Sequence, residues 1–398
     1  MISNTMKVGF FFLVFLFAFS CTSKIENNNY LGDELEAIQK EFAPDKRVAL
    51  WAIDVEKIEN TFVLKGESNL PDAVEALKNN LNRANISFVD SIQLLPSSAL
   101  NNMTLGLVTI SVANLRSDPK HSAELATQAT LGTPVKIYKN DGSWSLIQTP
   151  DNYLSWVDNA GIVPMTVLDF EIWKARPKII YTDLFGSTYS APDSRSQVVS
   201  DIVAGGILTL LSEEGDFYKA EYPDGRIAYI TKAEAEVYEL WLAKTKPSEE
   251  NLVATSKKLM GLPYLWGGTS TKGVDCSGYT KTIYFLNGII LPRDASQQIH
   301  TGEFIDESQD FKNLIPGDLL FFGKKATDTS AERVIHVGMW IGNNEFIHSS
   351  GQVRVSSVDK NAANFDAYNL NRYLRTKRVV NSTTGAFINL SKTPVFTN

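Results

Sequence analysis

From about Leu105 to Tyr238 the chain is a series of short strands punctuated by Gly, Pro, Asn and Asp, with Lys139-Asn140-Asp141-Gly142 and Tyr222-Pro223-Asp224-Gly225 reading as turns. Strands this short, closed this often, point to small β-barrels. The stretch also repeats itself weakly. Leu131-Gly132-Thr133-Pro134-Val135 through Asp141-Gly142-Ser143-Trp144 parallels Ala204-Gly205-Gly206-Ile207-Leu208 through Glu214-Gly215-Asp216-Phe217. Two tandem barrels are therefore expected, over 105–165 and 166–243.

The full 398 residues amount to roughly two to three ordinary domains, so more than one core is required. Upstream of the barrels, 22–104 reads as a small α/β unit. Arg47 to Leu95 alternates as strands do, around a helical stretch from Pro71 to Ala84 that Asn69 and Pro71 start. No chemistry is legible there. Downstream, the polar connector Lys244 to Glu250 opens a domain over 244–398. It runs as a helix (Asn251 to Met260), a glycine-rich loop, a second helix (Ser277 to Asn287) and strands near Leu319–Phe322, Val334–Ile341 and Glu345–Ser349, an α+β order.

Hydrophobic residues make up 43% and charged residues 21%, an ordinary globular composition. A net charge of -7 with no Lys/Arg block removes the electrostatic attraction that nucleic-acid binding needs, so nucleic acid is not an expected partner. At the N-terminus, Lys7 precedes an apolar run from Val8 to Phe19, followed by Ser20 and Cys21. The run is too short to span a bilayer and reads as a secretory signal over 1–21. Cys21 directly after it resembles a lipobox, although Ala18 and Phe19 depart from that pattern. The expectation is an exported chain, periplasmic or on the outer membrane, attached through lipid on Cys21.

With Cys21 so used, Cys276 has no disulfide partner, and its neighbours suggest why it is free. Gly261-Leu262-Pro263-Tyr264-Leu265-Trp266-Gly267-Gly268, then Val274-Asp275-Cys276-Ser277-Gly278, sets a glycine-rich loop ahead of a cysteine at a helix start. Backbone N–H groups there favour thiolate over thiol and can also face an oxyanion. A thiolate needs a base, and His336 lies in Arg333-Val334-Ile335-His336-Val337-Gly338-Met339-Trp340-Ile341. His348 follows in Phe346-Ile347-His348, across a hairpin closed by Gly342-Asn343-Asn344. A two-residue turn puts the two histidines on opposite faces and a three-residue turn puts them on one, so a three-residue turn is expected, with His348 orienting His336. His121 and His300 lack such neighbours. One Cys and two His without paired spacing make a poor zinc pattern, so no metal is expected.

Pro263-Tyr264-Leu265-Trp266-Gly267-Gly268, Asp275-Cys276-Ser277-Gly278, Leu291-Pro292-Arg293-Asp294, Pro316-Gly317-Asp318-Leu319, His336-Val337-Gly338 and Ile347-His348 together resemble the NlpC-type, papain-like cell-wall cysteine peptidases. Asn114-Leu115-Arg116-Ser117-Asp118-Pro119, Gly142-Ser143-Trp144 and Leu154-Ser155-Trp156-Val157 resemble bacterial SH3-like domains, and the second barrel matches less well. The resemblance implies that Cys276 attacks, that His336 is the base oriented by His348, and that the Tyr264 hydroxyl lies by the oxyanion. Trp266, Asp275 and Ser277 would line the peptide site. Members with two SH3-like barrels cut murein peptides between γ-linked D-glutamate and a diamino acid, and accept only a free N-terminal L-alanine. That implies an ammonium pocket of Asp294, Glu124 and Tyr153. Ala295 departs from the family's usual Ser or Thr. No cofactor is implied, because thiolate, imidazole and water suffice. Two alternatives remain: an endopeptidase on intact wall with the barrels as anchors, and an inactive peptide-binding protein, against which the joint retention of Cys276, His336 and His348 argues.

Overall fold

The computed structural model describes residues 22–59 and 61–398, with side chains from Leu31 onward; the expected signal run and Cys21 lie outside the described residues. The chain divides into two compact units, one ending at Leu94 and one running from Leu95 to Asn398.

In the first unit, strand Trp51–Ile58 pairs antiparallel with Thr61–Ser68, which pairs parallel with Phe88–Leu94. The parallel pair needs a crossover, and helix Pro71–Arg83 supplies it, with Ala73, Val74, Leu77 and Leu81 buried along one face. The strand, strand, helix, strand order matches the reading of the sequence. A further helix, Thr22–Phe42, was not anticipated because its asparagine-rich start reads as loop. Its Leu31 and Ile38, at helical spacing, are buried in the same core.

The boundary falls before 95 rather than after 104. Ser97 N–H bonds the Tyr138 carbonyl at 2.8 Å, and Leu100 is buried in the core of the first barrel. That barrel's sheet runs Ile162–Met165, Leu105–Val108, Pro134–Asp141, Trp144–Gln148, Leu154–Asp158, Val112–Arg116, Leu125–Thr130. The second runs Ala235–Val237, Lys178–Tyr181, Ile207–Glu214, Phe217–Glu221, Ile227–Thr231, Phe185–Tyr189, Val198–Val203. Strand for strand these are the same order, which is the structural content of the weak repeat. Helix Val167–Ala175 joins them, unforeseen in a stretch that reads as strands and turns. Thr166 caps its start, and the buried Lys178 ammonium donates to the Trp173, Lys174 and Arg176 carbonyls at its end, at 2.7, 3.1 and 2.8 Å.

The C-terminal part carries an antiparallel six-stranded sheet, ordered Glu303–Asp306, Tyr373–Arg378, Leu319–Lys324, Arg333–Gly342, Glu345–Ser350, Gln352–Ser357. Helix Cys276–Phe285 packs on it, buried almost all round, with Tyr279, Ile283 and Tyr284 in a core shared with Phe321, Val337, Met339 and Ile347. A helix buried on nearly every side cannot be displaced without opening this core. Its first residue is thereby fixed against the sheet.

Candidate active site

Cys276 is the first residue of that helix and Asp275 its N-cap. One Asp275 oxygen accepts the Gly278 N–H at 2.7 Å and the other the Gly267 N–H at 3.0 Å, so a single carboxylate ties the glycine-rich loop to the helix start. The approach is close enough to exclude a side chain: a Cβ on Gly278 would lie 1.9 Å from the Gly268 carbonyl oxygen. The fully buried Arg293 closes the arrangement. Its guanidinium bonds Asp275, the Ser277 hydroxyl at 3.0 Å and, from the first barrel, Thr127 at 3.0 Å. The Asp275 and Ser277 side chains, expected to line the peptide site, are therefore engaged in holding the helix.

Cys276 is 8% exposed and shares a core with Val337, the neighbour of His336 on its strand. Burial pushes the thiol up to about 11, helped by Asp275, while the Val337 and Ser277 N–H groups and Arg293 act in the opposite direction. The helix start thus acts as the sequence suggests but is outweighed. Burial likewise holds His336 well below the ordinary imidazole range, reinforced by His348, Arg372 and Arg354. Burial thus works against charge on both the thiol and the imidazole and opposes the helix start.

His336 Nε2 and His348 Nδ1 are 2.7 Å apart. The expected shared face is present, but the three-residue turn is not what produces it. Gly342 pairs with Glu345 across a two-residue turn in which Asn343 and Asn344 are both left-handed, at φ 54° and 61°. A bulge between Trp340 and Gly342 inserts one extra residue and restores the register. His348 then lies opposite Gly338, where a Cβ would meet its own Cβ at 3.2 Å and the Phe346 ring at 2.8 Å. With Nε2 occupied by His348, Nδ1 is the ring nitrogen His336 has left for the thiol. Behind His348, Ser356 Oγ is 3.0 Å from Nε2 and an Asp366 oxygen 3.9 Å. Sequence reasoning missed both. Ser356 was within reach, since its strand pairs His348 with Arg354 two residues earlier; Asp366 follows a loop no pattern fixes.

Tyr264 is half-buried, and burial together with Cys276 and Asp275 raises its phenol far above the ordinary value, leaving a neutral O–H donor near the thiol. Tyr153 of the first barrel donates its hydroxyl to Asp294 at 3.2 Å. Asp294 also heads the short helix Ala295–Gln298, with the Gln297 side chain accepting its N–H at 3.1 Å. Capping and a place in the pocket are thus compatible. Glu124 accepts the indole N–H of Trp266 at 2.6 Å, and Trp266 itself is 63% exposed. His336 and His348 are thus paired on the strands beside Val337, which packs with Cys276; Tyr264 lies near Cys276 and Asp275; Arg293 ties Asp275 and Ser277 to Asp294 with Tyr153; and Trp266 with Glu124 forms a separate pair. His121 is exposed against Trp144, and His300 is exposed as well. Among the described residues no three His, Cys, Asp or Glu side chains converge as a metal site would require.

Residues 261–370 match the NlpC/P60 family, and 115–162 match the bacterial dipeptidyl-peptidase Sh3 domain. The chain is 32% identical over 234 residues to a gamma-D-glutamyl-L-lysine dipeptidyl-peptidase of Bacillus cereus, covering 57% of this chain and 67% of that one. It is 26% identical over 270 residues to dipeptidyl-peptidase 6 of Lysinibacillus sphaericus, covering 64% and 92%. Among solved structures, an NlpC/P60 family protein from Bacillus cereus aligns at TM-score 0.59 and 26% identity, over 69% of this chain and 99% of that one. An NlpC/P60 endopeptidase from Photobacterium damselae aligns at TM-score 0.52 and 17% identity, over 92% and 85%, a likeness of fold.

Proposed function

The chain belongs to the NlpC/P60 family of cysteine peptidases, and we propose that it cleaves the bond between γ-linked D-glutamate and a diamino acid in murein peptides that begin with free L-alanine. Support for the free amine comes from one observation, the Asp294 carboxylate bonded to Tyr153 of the first barrel. A carboxylate closed in by a second domain suits an ammonium. An acylated amine carries no charge to answer that carboxylate and brings an acyl group into the same space, a cost that discriminates strongly. The names of the relatives favour L-lysine as the diamino acid.

In this reading His336 Nδ1 takes the Cys276 proton as the sulfur attacks the glutamyl carbonyl carbon. The oxyanion accepts hydrogen bonds from Tyr264 and the helix start, and the C–N bond breaks as His336 returns the proton to the leaving amine. Water, deprotonated by His336, then hydrolyses the thioester and regenerates the thiol. The reaction takes place outside the cytoplasm, with the chain held by lipid on Cys21; fatty-acid labelling that survives Cys21→Ala would remove the anchor from this account.

The test is hydrolysis of L-Ala-γ-D-Glu-L-Lys with products identified by mass. Wild type should release L-Ala-D-Glu and lysine, Cys276→Ala should release neither, and Asp294→Asn should lose about 10- to 100-fold in kcat/KM. Cleavage by Cys276→Ala, or an unaffected Asp294→Asn, would overturn the assignment.

A further inference from the structure

On the side of His348 opposite His336 lie two groups that never touch the reacting atoms. The Ser356 hydroxyl lies 3.0 Å from His348 Nε2, and an Asp366 carboxylate oxygen lies 3.9 Å from the same nitrogen. Asp366 is held rigidly. Its oxygens accept the Asn369 backbone N–H at 2.9 Å and side-chain amide at 2.6 Å, and its own N–H bonds the Ser357 carbonyl at 2.9 Å. Asn369 is fixed in turn by the Arg372 guanidinium at 2.7 Å. His348 is 0% exposed and the Asp366 side chain 10%.

An ionised carboxylate only accepts hydrogen bonds, whereas a hydroxyl or a neutral imidazole does one of each. The direction of every bond in the row follows. The Asp366 anion 3.9 Å from His348 Nε2 favours a proton on that nitrogen, so Ser356 Oγ accepts from His348 Nε2–H. His348 Nδ1 is then bare and accepts from His336 Nε2–H, which leaves His336 Nδ1 bare toward the thiol. We infer that Asp366 and Ser356 are positioning residues that set this order and hold His336 in the one tautomer able to accept the Cys276 proton. The inference rests on the reading of Cys276 and His336 as nucleophile and base.

Burial holds His348 at about 4, partly offset by Asp366, so at neutral pH it carries a single proton whose place its neighbours decide. Asp366 is lowered: burial works to raise it, and the Asn369 hydrogen bonds, His348 and Ser356 outweigh that. Arg354 and Arg372 face both histidines and act in the opposite direction to Asp366. When the imidazolium forms during catalysis, the Asp366 charge is the anion behind it.

Asp366→Asn keeps a residue suited to a helix N-cap while giving the row an amide that can donate. Two readouts avoid any choice of peptide: the iodoacetamide alkylation rate of Cys276 at pH 7, and the nitrogen-15 shifts of His348, which report its tautomer. Asp366→Asn should slow alkylation about tenfold, one pKa unit of lost imidazolium stabilisation, and shift His348 away from the Nε2–H form. Ser356→Ala should do likewise, and the double variant should lose little more than either. On the proposed peptide kcat should fall with KM unchanged, and the acid limb of kcat/KM should move to lower pH, because removing the anion lowers the histidine pKa. Wild-type alkylation with an unchanged His348 tautomer, or losses that simply add, would overturn the inference. Slowing by His336→Ala but not by Asp366→Asn would overturn it alone, and alkylation indifferent to His336→Ala would overturn the base assignment beneath it.

Discussion

Cys276 and His336 are each displaced by burial toward their neutral forms, the thiol up to about 11 and the imidazole well below its ordinary range. Ionising either alone is unfavourable, while passing one proton between them makes a pair whose charges attract in a site of low dielectric. The pH dependence follows with a definite sign. A group that must be deprotonated and has a raised pKa gains reactivity toward alkaline pH, so Cys276 alkylation should keep climbing from pH 7 toward 10. A plateau reached below pH 7 would contradict this and indicate a standing thiolate. At this scale the sequence was informative where chemistry sits in contiguous motifs: Asp275-Cys276-Ser277-Gly278 and His336-Val337-Gly338 name the nucleophile and base candidates directly. It did not single out Ser356 or Asp366, and it gave no sign of the burial that opposes the helix start, because solvation of a thiol depends on what closes over it.

The catalytic histidines depend on one element, the hairpin of Arg333–Gly342 and Glu345–Ser350. Its two-residue turn alone would set His336 and His348 on opposite faces, since side chains alternate with period two. The bulge after Trp340 corrects this by one residue. Deleting Ile341 should therefore separate the histidines and abolish cleavage, read as loss of product alongside loss of the His336-dependent part of Cys276 alkylation. An active deletion variant would show that the bulge is dispensable. The sequence indicated a hairpin and a shared face but not the device, because Gly342-Asn343-Asn344 suits a three-residue turn with one left-handed residue as well as a two-residue turn with two. Helix Val167–Ala175 was illegible for a related reason: its end is fixed by Lys178 from the following strand, a contact no local pattern encodes.

Within Leu95–Asn398 the first barrel and the peptidase part share buried polar links that neither could satisfy alone. Gln128 accepts from Thr269 and Ser270, Arg293 reaches Thr127, and the Lys281 ammonium is buried against Asp151. Burial pulls the Lys281 pKa down and Asp151 pulls it back. Asp151→Asn should then cost about 3–5 kcal/mol by leaving that ammonium without its anion. Calorimetry should show barrel and peptidase melting in one transition, at lower temperature in the variant; separate transitions would mean the barrel is only tethered. The tandem barrels were legible from the repeat, whereas their boundary with the N-terminal unit was misplaced because 95–104 carries no strand pattern and joins the barrel through Ser97 and Leu100. The barrel's attachment sets Tyr153 on Asp294. In the proposed function this contact makes the peptidase select a free amine. Its most direct test is the ratio of kcat/KM for L-Ala-γ-D-Glu-L-Lys to that for the N-acetylated peptide. A ratio on the order of 10⁴ in favour of the free amine is expected, because the acetylated nitrogen keeps one N–H but loses its charge and gains an acyl group where the site is built for an ammonium. Equal cleavage of the two would leave the cysteine chemistry standing and contradict the selection.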